Sequence, residues 1–303
     1  MARRWLTRTP ELLLAACLVP LAVRLAWRDS VPGLAALTYA TPLCLLAATA
    51  LAAFALAWLV GRRKLARFSA VVALGLGGWT LAATVSVHAS QHAGRFTGMV
   101  WNVANGTRGW GNVAGEVTRR DPDLAAFIEV GMYPPSRDTL FSQALPGREF
   151  HWWNEAIGLA VRGKILDATY HSLGRGSHAG VAHVELDGRP LTVVVVHPRS
   201  APTEPRGAVF DALERLLEPL WGEPLLVMGD FNTPSDSVFF DPLRRVLHSA
   251  FETTGSGWGA TWPMPVPVLA LDQVWSSDSV QVRTCRLHGS SASDHRMVTF
   301  TFD

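Results

Sequence analysis

The chain has 303 residues, 49% of them hydrophobic, with 27 Lys+Arg against 25 Asp+Glu and three cysteines. So apolar a composition excludes a disordered polyelectrolyte, and Cys17, Cys44 and Cys285, far apart in sequence, exclude a disulfide-built fold or a cysteine-rich metal site. The charge is divided: residues 1–95 hold ten basic and two acidic side chains and residues 96–303 hold 17 and 23, so the excess of basic residues belongs to the N-terminal third and says nothing about nucleic-acid binding by the rest.

Three apolar stretches come first, at 12–27, 34–60 and 65–87. A helix needs roughly 20 mainly apolar residues to cross a bilayer. The second and third stretches meet that length, and the first is marginal because Pro20 and Arg24 interrupt it. Its alternative is a signal peptide, with a basic start (Arg3, Arg4, Arg8) but no small-x-small cleavage site before charged sequence. Gly75, Gly77 and Gly78 are compatible with close helix packing in a membrane. The expectation is therefore a membrane anchor over 1–94 with about three transmembrane helices. Basic residues favour the cytoplasmic side. Arg3, Arg4 and Arg8 precede the first helix, and Arg62, Arg63, Lys64 and Arg67 gather between the second and third. That pattern predicts an integral protein of the plasma (inner) membrane, with everything after about His88 on the extracytoplasmic side.

Residues 95–303 read as a soluble α/β domain. A strand is expected over 96–102 (FTGMVWN), a helix over 109–120, and a strand over 124–130 that closes on Glu129. A short helix over 137–145 leads into paired strands at 149–153 and 156–162. Asp187-Gly188 marks a hairpin between 181–186 and 191–196, whose second arm runs into His197-Pro198-Arg199. An amphipathic helix follows over 208–220, with Val209, Leu213, Leu216, Leu217 and Leu220 on one face. Then comes LLVMGDFNTPSDS, residues 225–237, an apolar strand delivering Asp230 and Asn232 to its end. Two residues apart on an extended chain, these side chains point the same way, while Phe231 faces the core. A helix is expected around 239–247, a strand over 269–275 with Asp272 inward, a strand at 280–287 pairing with it, and a last strand at 297–302 preceded by Asp294-His295. Strands this uniformly apolar belong to sheets covered on their faces.

Polar residues thus recur where apolar strands end: Asn102, Glu129, His197, Asp230 with Asn232, Asp272, and Asp294 with His295. A buried strand rarely carries a carboxylate unless it is paired or binds metal. Through WNV, FIEV, VVHP, GDFN, LDQVW and SDH, in that order, residues 95–303 resemble the endonuclease/exonuclease/phosphatase superfamily. The resemblance implies a DNase-I-like four-layer α/β sandwich preceded by the N-terminal transmembrane helices. It also implies a metal-dependent hydrolase of phosphodiester bonds. By resemblance, Glu129 is the main carboxylate for Mg²⁺ (or Mn²⁺), with Asn102 and Asp294 near it. His295 is the general base or phosphate-contacting histidine, oriented by Asp272. Asp230 and Asn232 position water and phosphate, and His197 contacts the phosphate and acts as an acid. Glu155 is a weak candidate partner for His197, with a plain surface residue as the alternative, and Arg199 reads more safely as a solvated loop arginine than as a phosphate clamp. The other eight histidines, His178 and His288 among them, carry no motif.

The expected partners are a phosphodiester substrate, nucleic acid or lipid, and the bilayer; no protein partner is predictable. Against a nuclease stands the acidic domain, whose one lysine is Lys164, although Arg119-Arg120 or Arg244-Arg245 offers a local basic patch. A small phosphomonoester is a further substrate option, and a non-catalytic binding module that keeps the fold is the alternative from a different class. Trp110, Trp258 and Trp262 fall in expected loops and are candidates for lining a substrate groove.

Overall fold

The computed structural model describes residues 2–89, 92–131 and 135–303, with side chains from Arg8 onward. It divides into two compact units: residues 1–85 with 202–205 and 236–238, and residues 86–201, 206–235 and 239–303.

The first unit is helical: α1 (Ala2–Trp27), α2 (Leu34–Ala40), α3 (Leu43–Leu59) and α4 (Arg63–Thr84). Its interior is built from Cys17, Leu43, Leu46, Ala50 and Leu76. Residues 8–27 of α1 and all of α4 are long and apolar enough to cross a membrane. The stretch expected as one span at 34–60 is two helices bent by 69°, which together are long and apolar enough for a broken span or a re-entrant loop. Pro42 accounts for the break, since it supplies no N–H and disfavours helical backbone at Thr41 before it. The close packing expected at Gly75, Gly77 and Gly78 is not seen, because no atom lies within 4 Å of where their Cβ would be.

The second unit runs, in chain order, β1 (Val85–Val87, entered from the first unit), β2 (Phe96–Asn102), α5 (Trp110–Arg120), β3 (Leu124–Ile128), α6 (Ser136–Ala144), β4 (Glu149–Trp152), β5 (Ile157–Val161), β6 (Lys164–Gly174), β7 (Ser177–Leu186) and β8 (Arg189–His197). It continues through α7 (Gly207–Leu217), β9 (Leu225–Asp230), β10 (His248–Ser249), α8 (Ala250–Thr254), β11 (Ser256–Trp258), β12 (Asp272–Ser276), β13 (Val282–His288) and β14 (Met297–Phe302). Two six-stranded sheets result, in the orders β10-β12-β9-β8-β7-β6 and β13-β14-β2-β3-β5-β4.

Period-two alternation decides how these sheets stack. Val193 and Val195 of β8, Leu226 and Met228 of β9 and Val274 of β12 face Val100, Leu124, Ala126, Ile128, Val298 and Phe300 of the other sheet. The opposite faces meet helices: Val194, Leu225 and Val227 pack on Val209, Phe210 and Leu213 of α7. Met99, Trp101 and Phe127 pack on Val113 and Val117 of α5 and Phe141 of α6. The unit is therefore the expected four-layer α/β sandwich.

Three local expectations are corrected. The helix around 239–247 is two short 3-10 turns, Val238–Phe240 and Leu243–Arg245, because Pro242 prevents a continuous helix. β6 had no assignment; exposed along most of its length at a sheet edge, it lacks the apolar alternation that betrays a strand. Finally, β13 pairs with β14 and not with β12. The connection after Ser276 carries the chain from one sheet to the other, with Val280 buried between them.

Candidate active site

The inward parity that builds the central core also builds the site. Continuing each strand by two residues from its last inward apolar side chain reaches Asn102 after Val100, His197 after Val195 and Asp230 after Met228. Asp272, two before Val274, faces the same way and pairs in register with Asp230. The parallel pairs β2–β3 and β8–β9 bring carboxy-terminal strand ends to one edge. Polar groups thus gather where the apolar filling between the two sheets stops. Gly229 makes the close approach possible: a Cβ there would lie 1.9 Å from the Val196 carbonyl oxygen.

Asn102 is the hub. Its Nδ2 donates to Glu129 Oε1 at 3.0 Å and to Asp230 Oδ2 at 2.9 Å, and its Oδ1 accepts from the Ala104 N–H. Glu129 follows β3 directly and adopts φ 53°, a region disfavoured for residues with a Cβ. It accepts from Asn105 Nδ2 and lies 3.5 Å from His197 Nε2. The hydrogen bond with His197 is the main reason its carboxyl is held below the ordinary glutamate range, against its partial burial. His197 Nδ1 is buried without a hydrogen-bond partner among the described residues, and Glu155 is exposed, which matches the plain reading of that residue.

A second group adjoins the first through Asp230. His295 Nδ1 bonds Asp272 Oδ2 at 2.8 Å, and its Nε2 stands 3.9 Å from Asp230 Oδ2. Burial opposes the charged imidazole, but Asp272, Asp230 and Asp294 together outweigh it and push His295 up to about 10. Burial also raises the Asp272 carboxyl. Ser293 ties this segment to β2: its hydroxyl donates to the Asn102 carbonyl and accepts from the His295 N–H. Asp294 accepts from Trp262 Nε1 through Oδ2, while its buried Oδ1 has no hydrogen-bond partner among the described residues.

Asn232 does not continue the strand direction of Asp230. The strand ends at Asp230, Asn232 turns to φ 47°, and its Nδ2 donates to the Pro198 carbonyl. Its backbone N–H caps Asp230 Oδ1 at 2.8 Å. Phe231 is fully buried, as expected, though against the α7 side of its sheet.

Among the described residues, two clusters of possible metal-ligating atoms are present, Glu129–His197–Asp230 and Asp230–Asp272–His295, each with its atoms within 4.8 Å of one another. The donor chemistry suits a hard divalent cation. Carboxylate oxygens of Glu129 and Asp230 converge beside His197, one carboxylate is held anionic, and a buried Asp294 oxygen has no hydrogen-bond partner among the described residues.

The family model described as Endonuclease/Exonuclease/phosphatase family matches residues 99–295. The chain belongs to that family. The match begins inside β2 and ends on His295, so it contains every strand-end residue named above. A search of the curated proteins finds no match. Among solved structures, the chain is similar to a mannosyl-6-phosphatase from Bacteroides thetaiotaomicron VPI-5482, at 16% identity and TM-score 0.57 over 69% of this chain and 99% of that one. It is similar to the human Nocturnin catalytic domain with bound sulfate, at 21% identity and TM-score 0.58 over 70% and 94%. It is also similar to D. rerio TDP2 complexed with a single-strand DNA product, at 15% identity and TM-score 0.58 over 69% and 98%. At these identities the likeness is one of fold.

Sequence reasoning missed several residues at this edge. Asn105 lies three after Asn102, in a turn whose geometry the sequence does not reveal. His178 pairs in register with His197, their rings 6.5 Å apart, and Tyr170 Oη bonds its Nδ1 at 2.7 Å. The Asp187-Gly188 hairpin already implied that pairing: counting back equally from the turn sets His178 opposite His197. Arg206, almost fully buried, donates to the carbonyls of Arg199 and Asn232 and so joins two active-site loops. Of the three tryptophans proposed for a groove, Trp262 lies at the site, 6.4 Å from the His295 ring. Trp110 packs on Phe141, and Trp258 donates to the Pro267 carbonyl.

Proposed function

We propose that this protein is a membrane-anchored, divalent-metal-dependent phosphodiesterase, with an anchor over 1–94 and a catalytic domain over 95–303. The observation that carries the reading is the His295–Asp272 pair facing Asp230, with Glu129 and Asn102 alongside. In this reading Glu129, Asn102 and Asp294 hold Mg²⁺, or Mn²⁺ in its place. The ion would supply positive charge where negative charge grows on the phosphate oxygens.

The protein groups divide the remaining work. Asp230, anchored by Asn102 and the Asn232 N–H, orients the attacking water and receives its proton. The water oxygen forms the new bond to phosphorus as the bond to the leaving oxygen breaks. His295 carries a proton at neutral pH, which favours the phosphate-contacting role over that of a base. Its Nε2–H then donates to a phosphate oxygen while Asp272 holds Nδ1. His197 protonates the leaving oxygen, and Asn232 holds the Pro198 loop beside it. His178, held by Tyr170, borders the leaving-group side.

A phospholipid-type diester is the favoured substrate class. The domain's net negative charge works against a long polyanion, and the apolar helices bring lipid phosphodiesters within reach. The test sets the full-length protein in Mg²⁺ against a phospholipid panel, plasmid DNA and small phosphomonoesters, with Asp230→Ala as control. Lipid cleavage lost in that variant is expected. DNA-only cleavage transfers the reading to a nuclease, and phosphomonoester-only cleavage to a phosphatase. No turnover of any of them leaves a binding module that keeps the fold. The orientation with the domain on the extracytoplasmic side is tested by an alkaline phosphatase fused after Phe96, expected to be active; an inactive fusion reverses it.

A further inference from the structure

A second concentration of polar chemistry lies on the β13-β14-β2 region, on the face of its sheet turned away from the central core. A cavity of about 460 Å³ opens here. The cavity runs along this face from Thr97, Thr284 and Thr301 to His288, which pairs with Met297 of β14. Its polar lining comes from Arg120, Arg286, His288, Thr284, Thr299 and Thr301, over an apolar floor that includes Met99. A neighbouring cavity of about 370 Å³ shares Thr284, Arg286 and His288 with it.

The positive charge here is not neutralised. Arg119, next in sequence to Arg120, pairs with Glu116. Arg120 and Arg286 form no ion pair with a described residue, and Arg120 Nε is buried without a hydrogen-bond partner. That burial fixes the Arg120 guanidinium in place, so its accessible terminal N–H groups are the ones a ligand would meet. Arg296 is nearby, bonded only to the carbonyls of Trp258, Ala260 and Leu287. His288 registers the resulting field: after burial, Arg120, Arg296 and Arg286 lower its pKa, opposed only by Glu116.

The hydroxyls have spare donors. Thr284 and Thr301 share one hydrogen bond at 2.8 Å, and Thr301 also accepts from the Gly94 N–H. Whichever hydroxyl donates within the pair, the other keeps a proton for a ligand. Thr299 differs: its hydroxyl lies 2.8 Å from His288 Nε2 and 3.5 Å from the Arg286 carbonyl, so its proton is already engaged. Guanidinium forks flanked by hydroxyl donors, with no carboxylate lining the cavity, match a phosphate group.

We propose that this cavity is a second, non-catalytic anion site that takes a phosphate group between Arg120 and Arg286. Ala93 in its wall follows the last residue of α4 by nine positions, so two sources share this chemistry: free phosphate, or the headgroup phosphate of a membrane lipid. Only the lipid source rests on the membrane-anchor reading. The site itself is independent of the proposed reaction, because its test does not read activity.

The experiment follows the His288 imidazole by NMR in the full-length protein, assigned with His288→Gln. The protein is held in nanodiscs of phosphatidylcholine, with inorganic phosphate added against a chloride control of equal ionic strength, and separately in nanodiscs doped with phosphatidic acid. An anion between the two arginines offsets their repulsion and raises the His288 pKa by about 1 unit. A rise with inorganic phosphate assigns a free-phosphate ligand, and a rise with phosphatidic acid alone assigns a lipid headgroup. The paired substitution Arg120→Gln with Arg286→Gln is expected to abolish either response. An unmoved His288 in the wild-type protein under both conditions overturns the site, whatever the variants do, as does an equal rise in the double variant.

Discussion

In α4, Val71 and Leu74 are 68% and 76% exposed, whereas in β9 the four residues Leu225 to Met228 are fully buried. Both segments obey the same tendency of apolar surface to leave water, but they meet it with different partners. The second unit folds its apolar residues against one another in four layers. The first unit leaves many pointing outward, as helices do when the surrounding medium is itself apolar. Buried polar groups differ correspondingly. In the second unit Asn102, Asp230, Asp272 and His295 are bonded mainly to one another at a sheet edge. Carboxylates crowd there without enough protein cations to offset them, which is the charge the proposed cation would balance.

The largest test of that contrast separates the units. Residues 95–303 expressed alone are expected to remain in the supernatant after ultracentrifugation, with the full chain wholly in the membrane fraction. A truncated domain that aggregates would erase the distinction. Next in size is the chemistry. Asp230→Ala is expected to lower the hydrolysis rate by about 10²–10⁴-fold. It should leave thermal stability unchanged or higher, because it removes one of several crowded carboxylates; a large drop in melting temperature would mark Asp230 as structural instead. In the core, Phe231→Ala empties a fully buried ring site and is expected to cost about 3–5 kcal/mol in denaturant unfolding. The corresponding change at exposed Leu74 in nanodiscs should cost far less.

The smallest effect concerns Cys285. Burial pushes its thiol to about 12, so the folded protein keeps the proton that the unfolded chain loses near pH 8.5–9. The stability from this group is therefore complete below that range and declines as pH rises toward 12. Peptide mapping after iodoacetamide treatment at neutral pH should find Cys285 modified only once the domain is unfolded; rapid modification in the native state would mean that the sheet edge opens.

Much of the fold was legible because its signals are local. The β8 run of valines, the Asp187-Gly188 turn and the amphipathic face of α7 each declare their element within a few residues, and the structure has all three. Pro42 and Pro242 were equally visible, yet their power to break an apolar run was underweighted, so one expected span and one expected helix became broken pairs. Edge strand β6 escaped because its few covered residues, Ile165, Ala168 and Leu173, do not follow a two-residue period.

For the site, residue types and their order along the chain were enough to nominate Asn102, Glu129, His197, Asp230, Asn232, Asp272, Asp294 and His295. Strand ends carry that information in one dimension, because an acid closing an apolar run is anomalous wherever the strand is placed. Sequence could not supply the partners. Asn102 bridging Glu129 and Asp230, Tyr170 holding His178, Arg206 joining two loops and the unpaired arginines beside His288 all depend on chain segments far apart in sequence. Such contacts follow from which strands pair and which sheets stack, and no local pattern encodes them. That the six motifs belong to one edge was an inference from their recurrence at strand ends; only the packing of two sheets face to face, with the same side-chain parity on both, brought those groups together.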